Sequence, residues 1–345
     1  MSTQAATATP PANPHRFYAT AIRPMMPKEA FKRSPRKLVP AIAHLLIVVA
    51  AWVAARYLDW WAWPILGIVA GHSMACLAFL AHELSHNAIL KRGKVKRVVE
   101  TGVMGLLGIP STMWHEVHNI THHGNTNTPD DPDRRWMTDE VNKRNTAISA
   151  AFHPQKSWYR FSPLVPLQFV GYIMRNIIAA LSGGHWGTLP AAPKYDAKQR
   201  RSIAIELGVI VLIQALAFTV VGFDWVRWLL VGPFAWAVAS SVVMAYVFTN
   251  HFLHPIHDES DPVGSSTSVI VPRWVDAMHF NFSYHTEHHL FPGMDSKWYP
   301  EVSRNLREQF PDRYNQLPFL EAWRRLLAAK MFEPAMAEAG GESPR

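Results

Sequence analysis

Residues 62–86 read AWPILGIVAGHSMACLAFLAHELSH, and this stretch decides the fold. From Ala62 to His82 no residue carries a fixed charge. That matches the length a helix needs to cross a bilayer, about 20 residues. The run then closes on His82-Glu83-Leu84-Ser85-His86. Residues four apart share one helix face, so both imidazoles can address one centre at the edge of the membrane.

Three further apolar runs of spanning length lie at 41–58, 203–222 and 227–250. Only a few residues join the first run to the second and the third to the fourth. Trp60, Trp61, Trp63, Trp225 and Trp228 fall at these connections, at interfacial depth. The pattern predicts an all-α integral membrane protein with four transmembrane helices in two hairpins. Segments 1–40, 87–202 and 251–345 hold nearly all the Lys and Arg and so belong on the cytoplasmic side. The membrane domain is expected over 41–320, with a cytoplasmic helical cap drawn from 87–202 and 251–320. Residues 98–113 and 164–181 are apolar but interrupted, and read as shallow or interfacial helices. Residues 1–40 read as a flexible basic cytoplasmic tail and 321–345 as a C-terminal segment, disordered after Pro334. Both termini are expected in the cytoplasm, of the inner membrane in a bacterium or the endoplasmic reticulum in a eukaryote.

Hydrophobic residues make up 49% of the chain and charged residues 17%, where a soluble domain carries about a quarter. The net charge of +8 is concentrated in residues 16–37 and 91–97, beside apolar runs. That placement fits anionic lipid headgroups and argues against nucleic acid. Cys76 is the single cysteine, which excludes a disulfide framework, a thiolate zinc site or a Cys-ligated iron–sulfur cluster within the chain.

Two more histidine clusters follow the first. One is His118-Asn119-Ile120-Thr121-His122-His123, the other His285-Thr286-Glu287-His288-His289, and Asn250 with His254 ends the fourth run. His118 with His122, and His285 with His288, repeat the shared-face logic, and each doubled His adds a neighbouring donor. The nine imidazoles His82, His86, His118, His122, His123, His254, His285, His288 and His289 exceed what one metal takes. They fit two. Imidazole alone does not choose among iron, zinc, copper and nickel; iron activates dioxygen beside a lipid chain and zinc does not. The carboxylate-rich di-iron class needs two Glu-x-x-His motifs, and only Glu83/His86 is offered. Asp131 and Asp133 are placed to orient ligating rings or to build a turn, and Glu83 and Glu287 to orient rings from within their boxes. His44 and His72 stand alone within spans and read as interfacial and packing residues. His115 and His251 flank boxes off the ligand spacing and read as supporting or core residues. His15, His153, His185, His257 and His279 read as surface or loop residues.

The ordered set resembles the membrane fatty acid desaturase and hydroxylase superfamily, with its H-x(3–4)-H box and two H-x(2–3)-H-H boxes. The residues around the boxes are similar too: Thr126-Asn127 and Asp131-Pro132-Asp133 after the second, Phe280-Asn281 before the third, and Leu290-Phe291-Pro292-Gly293-Met294 after it. The resemblance runs from about residue 40 to residue 320. It implies a histidine-ligated pair of iron ions, dioxygen as co-substrate, and a C=C bond inserted into a long acyl chain. It implies further that His254 binds iron and that Asn250 acts through a water. No Gly-x-Gly-x-x-Gly fingerprint is present, and His153-Pro154 and His254-Pro255 lack the glycines of a fused cytochrome b5. Electrons are therefore expected from a separate ferredoxin or cytochrome b5 with its reductase. Two alternatives stand. One is hydroxylation of a lipid, sphingoid, alkane or carotenoid. The other is a membrane zinc metalloprotease using His82-Glu83-Leu84-Ser85-His86, which leaves the remaining clusters without work.

Overall fold

The computed structural model describes residues 13–134, 165–182 and 194–328. The end after Pro334, expected to be disordered, and His153 and His185 lie outside them. Four helical stretches, Pro35–Tyr57, Trp60–Ser85, Ala197–Val220 and Trp225–His251, are long and apolar enough to cross a membrane. Their ends are set by local chemistry. Helix α2 (Leu38–Tyr57) follows a single turn beginning at Pro35, and α3 (Trp63–Ser85) starts with Pro at its first turn, where a missing N–H costs nothing. The third stretch, α7 (Ala197–Val220), begins before the apolar run because Asp196 and Gln199 form a reciprocal capping box. The fourth is broken at Gly232 into α8 (Trp225–Val231) and α9 (Pro233–His251).

Helix α3 packs against α2, α8 and α9. Gly67 and Gly71 permit the close approach of α8 and α9. A Cβ at Gly71 would stand 2.4 Å from the Ala235 carbonyl oxygen, and one at Gly67 2.3 Å from that of Leu230. Small residues four apart are a common way for membrane helices to come this close. Apolar side chains that stay exposed, such as Ile42, Leu46, Val211 and Leu212, lie on these same four stretches. In a lipid solvent that outward apolar surface carries no penalty.

Helix α4 (Lys94–Leu106) packs on α7, and a short α5 (Ser111–Trp114) leads into a π-helical segment, His115–His122. Helix α6 (Val165–Leu181) packs on α9 and buries Arg175 and Asn176. After α9 come β1 (Thr267–Ile270), α10 (Arg273–Met278), α11 (His285–Leu290), α12 (Tyr299–Gln309), β2 (Asn315–Pro318) and α13 (Phe319–Ala328). Strands β1 and β2 pair in parallel, Thr267 opposite Asn315. This small sheet is a departure from the all-α expectation.

The N-terminal segment also differs from the expected loose tail. From residue 13 onward, α1 (Pro14–Ile22) and two short turns bury Tyr18, Ile22, Met26 and Ala30 against Leu290, Phe291, Met294, Tyr299, Val302 and Leu306. These apolar residues are spaced among basic ones, which masked them in the composition. Lys37 ends the segment inside the protein, 2.6 Å from Glu83 and 2.8 Å from Asp295.

Candidate metal centre

Two groups of imidazoles converge where α3 and α9 end. The first holds His82, His86, His118, His123 and His288, and the second His122, His251, His285 and His289. Within each group one donor atom per residue lies within 4.8 Å of all the others. The groups abut, with the His123 and His289 rings stacked at 4.4 Å. Facing Nε2 pairs stand at 2.7 Å (His82 and His118), 2.6 Å (His251 and His285) and 3.1 Å (His123 and His288; His285 and His289). Separations near 3 Å are the edges of a coordination shell whose metal–nitrogen bonds are about 2.0–2.1 Å. Imidazoles turned inward with so little between them fit two metal ions.

The backbone explains the sorting. His118 and His122, expected to share a centre by α-helical spacing, face different groups. The segment is wound as a π-helix, and the His123 N–H reaches back to the His118 carbonyl. A π turn aligns residues five apart. So His118 and His123 serve one group while His122 turns to the other. In α11 the ordinary α turn operates instead: His285 and His289, four apart, share the second group, and His288 points to the first.

His254, expected among the ligands, is outside both groups: its Nε2 lies 2.7 Å from Thr267 Oγ1. His251, expected in a supporting role, joins the second group. Helix α9 ends at His251 and the chain turns at Phe252, so the last helical residue points inward and the one three further on does not. Asn250 is buried with neither amide atom partnered among the described residues.

Several rings are oriented from behind, as ligating histidines usually are. Asp131 sits 2.9 Å from His122 Nδ1 and Asp133 3.4 Å. Asp131 also accepts from the Asn127 and Asp133 backbone N–H groups, so one carboxylate both builds the turn and faces the ring. Thr126 Oγ1 meets His289 Nδ1 at 3.2 Å, and the Tyr299 hydroxyl meets His288 Nδ1 at 3.3 Å. Trp114 stacks on His118 at 4.6 Å. Glu83 and Glu287 do not take the orienting part expected of them. Glu83 accepts from Lys37 and Ser296, and Glu287 from Ser268 and Tyr314. Arg134, unforeseen in sequence, is buried and donates to the carbonyls of His251 (2.6 Å) and His254 (2.8 Å), fastening the turn after α9.

Burial and mutual repulsion push His86, His118, His123, His285, His288 and His289 well below the ordinary histidine range. They are neutral, the form that ligates metal. His122 differs: burial opposes its charge, but the carboxylates of Asp131 and Asp133 raise it to about 9.

The chain matches the fatty acid desaturase family model over residues 58–319. It is 22% identical to an omega-3 fatty acid desaturase, chloroplastic, of Ricinus communis, over 81% of this chain and 61% of the relative. A sphingolipid delta(4)-desaturase of Drosophila melanogaster is 24% identical over 90% of this chain and 85% of its own. A temperature-sensitive sn-2 acyl-lipid omega-3 desaturase (ferredoxin), chloroplastic, of Arabidopsis thaliana is 20% identical over 82% and 65%. The chain thus spans less than two thirds of the length of the two plant relatives.

Proposed function

The chain belongs to the fatty acid desaturase family, and we propose that it inserts a C=C bond into a long acyl chain, with two iron ions held by the paired imidazole groups. The observation that carries this reading is the sorting of nine histidines, seven buried and two half-buried, into two abutting groups, five and four, at the ends of two apolar helices. The overall change is loss of two hydrogens from neighbouring methylenes. Those two hydrogens, with dioxygen and two electrons and two protons from outside the chain, leave as two waters.

When bound, iron supplies the activation of dioxygen that unactivated C–H bonds require. The protein supplies placement and dryness. His82, His86, His118, His123 and His288 would hold one ion, and His122, His251, His285 and His289 the other. Asn250, its amide unpartnered among the described residues, would act through a water. Asp131 and Thr126 engage the outer nitrogens of His122 and His289, so that each presents its other nitrogen inward. Phe282 lies 5.2 Å from His82 and 5.5 Å from His285, and packs on Phe79 at 4.5 Å. These rings give the methylenes an apolar wall and keep bulk water away.

The basic residues of α4 and the preceding turn, Lys91 to Arg97, share the cytoplasmic side with the histidines under the positive-inside bias. The same charge favours an acidic electron carrier of the ferredoxin or cytochrome b5 type. Anionic lipid headgroups suit that surface too.

The test is expression in a host of known lipid composition, with mass spectrometry locating new double bonds. New double bonds that vanish in His288→Ala are the expected result. Hydroxylated lipid instead would move the reaction to hydroxylation, and unchanged lipid with full iron loading and a reducing partner would overturn the proposal.

A further inference from the structure

A third gathering of donor atoms lies deeper. His72 on α3, Cys76 one turn later and His279 after α10 each offer one donor atom, all within 4.8 Å of one another. His72 is ten residues from His82, about 15 Å along the helix, so this group is separate from the two described above. Phe79 lies between, 5.0 Å from His279 and 4.5 Å from Phe282. We infer that His72, Cys76 and His279 form a third metal site, for a single zinc-class ion, that fastens the loop after α10 to α3.

The geometry suits an ion. His279 Nε2 faces His72 Nε2 at 3.2 Å, the edge of a tetrahedron with metal–nitrogen bonds of about 2.0–2.1 Å. The other nitrogen of His279 is engaged by the Tyr246 hydroxyl at 2.9 Å, the outer contact that fixes a ligating ring. Cys76 Sγ lies against the same His72 ring, 3.9 Å from its Nδ1, and within 4.8 Å of one donor nitrogen of each histidine. Burial, with the neighbouring imidazoles of His72 and His44, pushes His279 down to about 4, so its ring is uncharged. His44, on α2, leaves its Nδ1 buried and unpartnered among the described residues and is a candidate for a fourth ligand. One thiolate with imidazoles selects borderline or soft ions, zinc(II) foremost. Uptake of the ion displaces one proton, from Sγ.

In the sequence His72 read as packing and His279 as a surface residue, 207 positions apart. A site built on several thiolates is excluded by the cysteine count. A single thiolate shared with imidazoles is not.

Cobalt(II) is the probe, because Cys76 is the chain's sole sulfhydryl. A near-ultraviolet thiolate-to-cobalt charge-transfer band in the full-length protein can therefore arise nowhere else. The expected result is that band in the wild type and its loss in Cys76→Ser, His72→Gln and His279→Gln, while cobalt d–d absorption from the other histidine groups persists. The retained absorption also reports that a variant has folded. A wild type that fills those groups with cobalt and shows no sulfur band overturns the site, as does a sulfur band that survives both histidine substitutions. Zinc should further protect Cys76 from alkylation in the wild type; equal alkylation with and without zinc counts against it. None of these readouts depends on lipid product, so the site stands or falls apart from the proposed reaction.

Discussion

Replacing Lys37 with methionine tests whether the N-terminal segment is a working part of the metal site's support. The Lys37 side chain is 12% exposed and that of Glu83 5%, and their atoms meet at 2.6 Å. Asp295 takes the same ammonium at 2.8 Å, and Ser296 donates to the other Glu83 oxygen at 2.8 Å. Lys37→Met keeps the stem and removes the charge, leaving two buried carboxylates with no shared cation. Breaking a buried pair from one side costs about 3–5 kcal/mol. Because Lys37 keeps some water contact, the lower end applies: about 3 kcal/mol, or roughly two orders of magnitude in the folding equilibrium. Equilibrium unfolding in mild detergent reads it, and a double-mutant cycle with Glu83→Gln isolates the pair. Single losses should exceed additivity by at least about 1 kcal/mol. The acid limb adds a signed check. Burial alone would raise Asp295, and Lys37 holds it below the ordinary 3.8. Its contribution is present above that value and fades as pH falls through the lower folded value. In Lys37→Met that fading should disappear. Additive losses with an unchanged acid limb would refute the reasoning.

In the chelated protein, His122 is raised from 6.5 to about 9. Its contribution to stability is full below 6.5 and lost as pH climbs through about 9, and Asp131→Asn should flatten that decline in a thermal-unfolding series across pH. His251→Ala should cost purified protein about half its iron, whereas His254→Ala should keep both ions; elemental analysis decides, and equal loss would reverse the ligand assignment. Gly71→Ala drives a methyl into the Ala235 carbonyl and Val238 and should destabilise by about 1–3 kcal/mol. Gly102→Ala, on α4 with nothing within 4 Å of the added carbon, should stabilise by about 0.5–1 kcal/mol in the same melt.

The four long helices were legible because an uncharged run of some twenty residues has one common explanation, and the boxes because histidine spacing survives without tertiary context. What escaped depended on backbone winding or on distant partners. His123 joins His118 only because the segment between them is π-helical, and no local propensity marks that turn. His251 displaced His254 because the helix stops one residue after Asn250, a boundary that apolar periodicity places only to within a turn. Lys37 read as one more basic tail residue, since its partners Glu83 and Asp295 stand far along the sequence. Arg134 carried no signal at all, being an ordinary residue made important by the carbonyls that fold onto it, and Thr126 stood out only through the resemblance, with nothing to mark it as the partner of His289.

The docked N-terminal segment sets a schedule for biogenesis. Lys37 and Ser296 are separated by 259 positions, so at ordinary translation rates of about 5–20 residues per second the lysine waits on the order of tens of seconds for that partner. The third histidine box, residues 285–289, likewise emerges about 200 residues after the first. Until then the first box is an open shell beside an unmatched cation and an uncovered row of apolar side chains. Under the proposed reading, metal loading waits for the third box, and a nascent chain arrested before residue 285 would expose a half-made centre to whatever ion or chaperone arrived first.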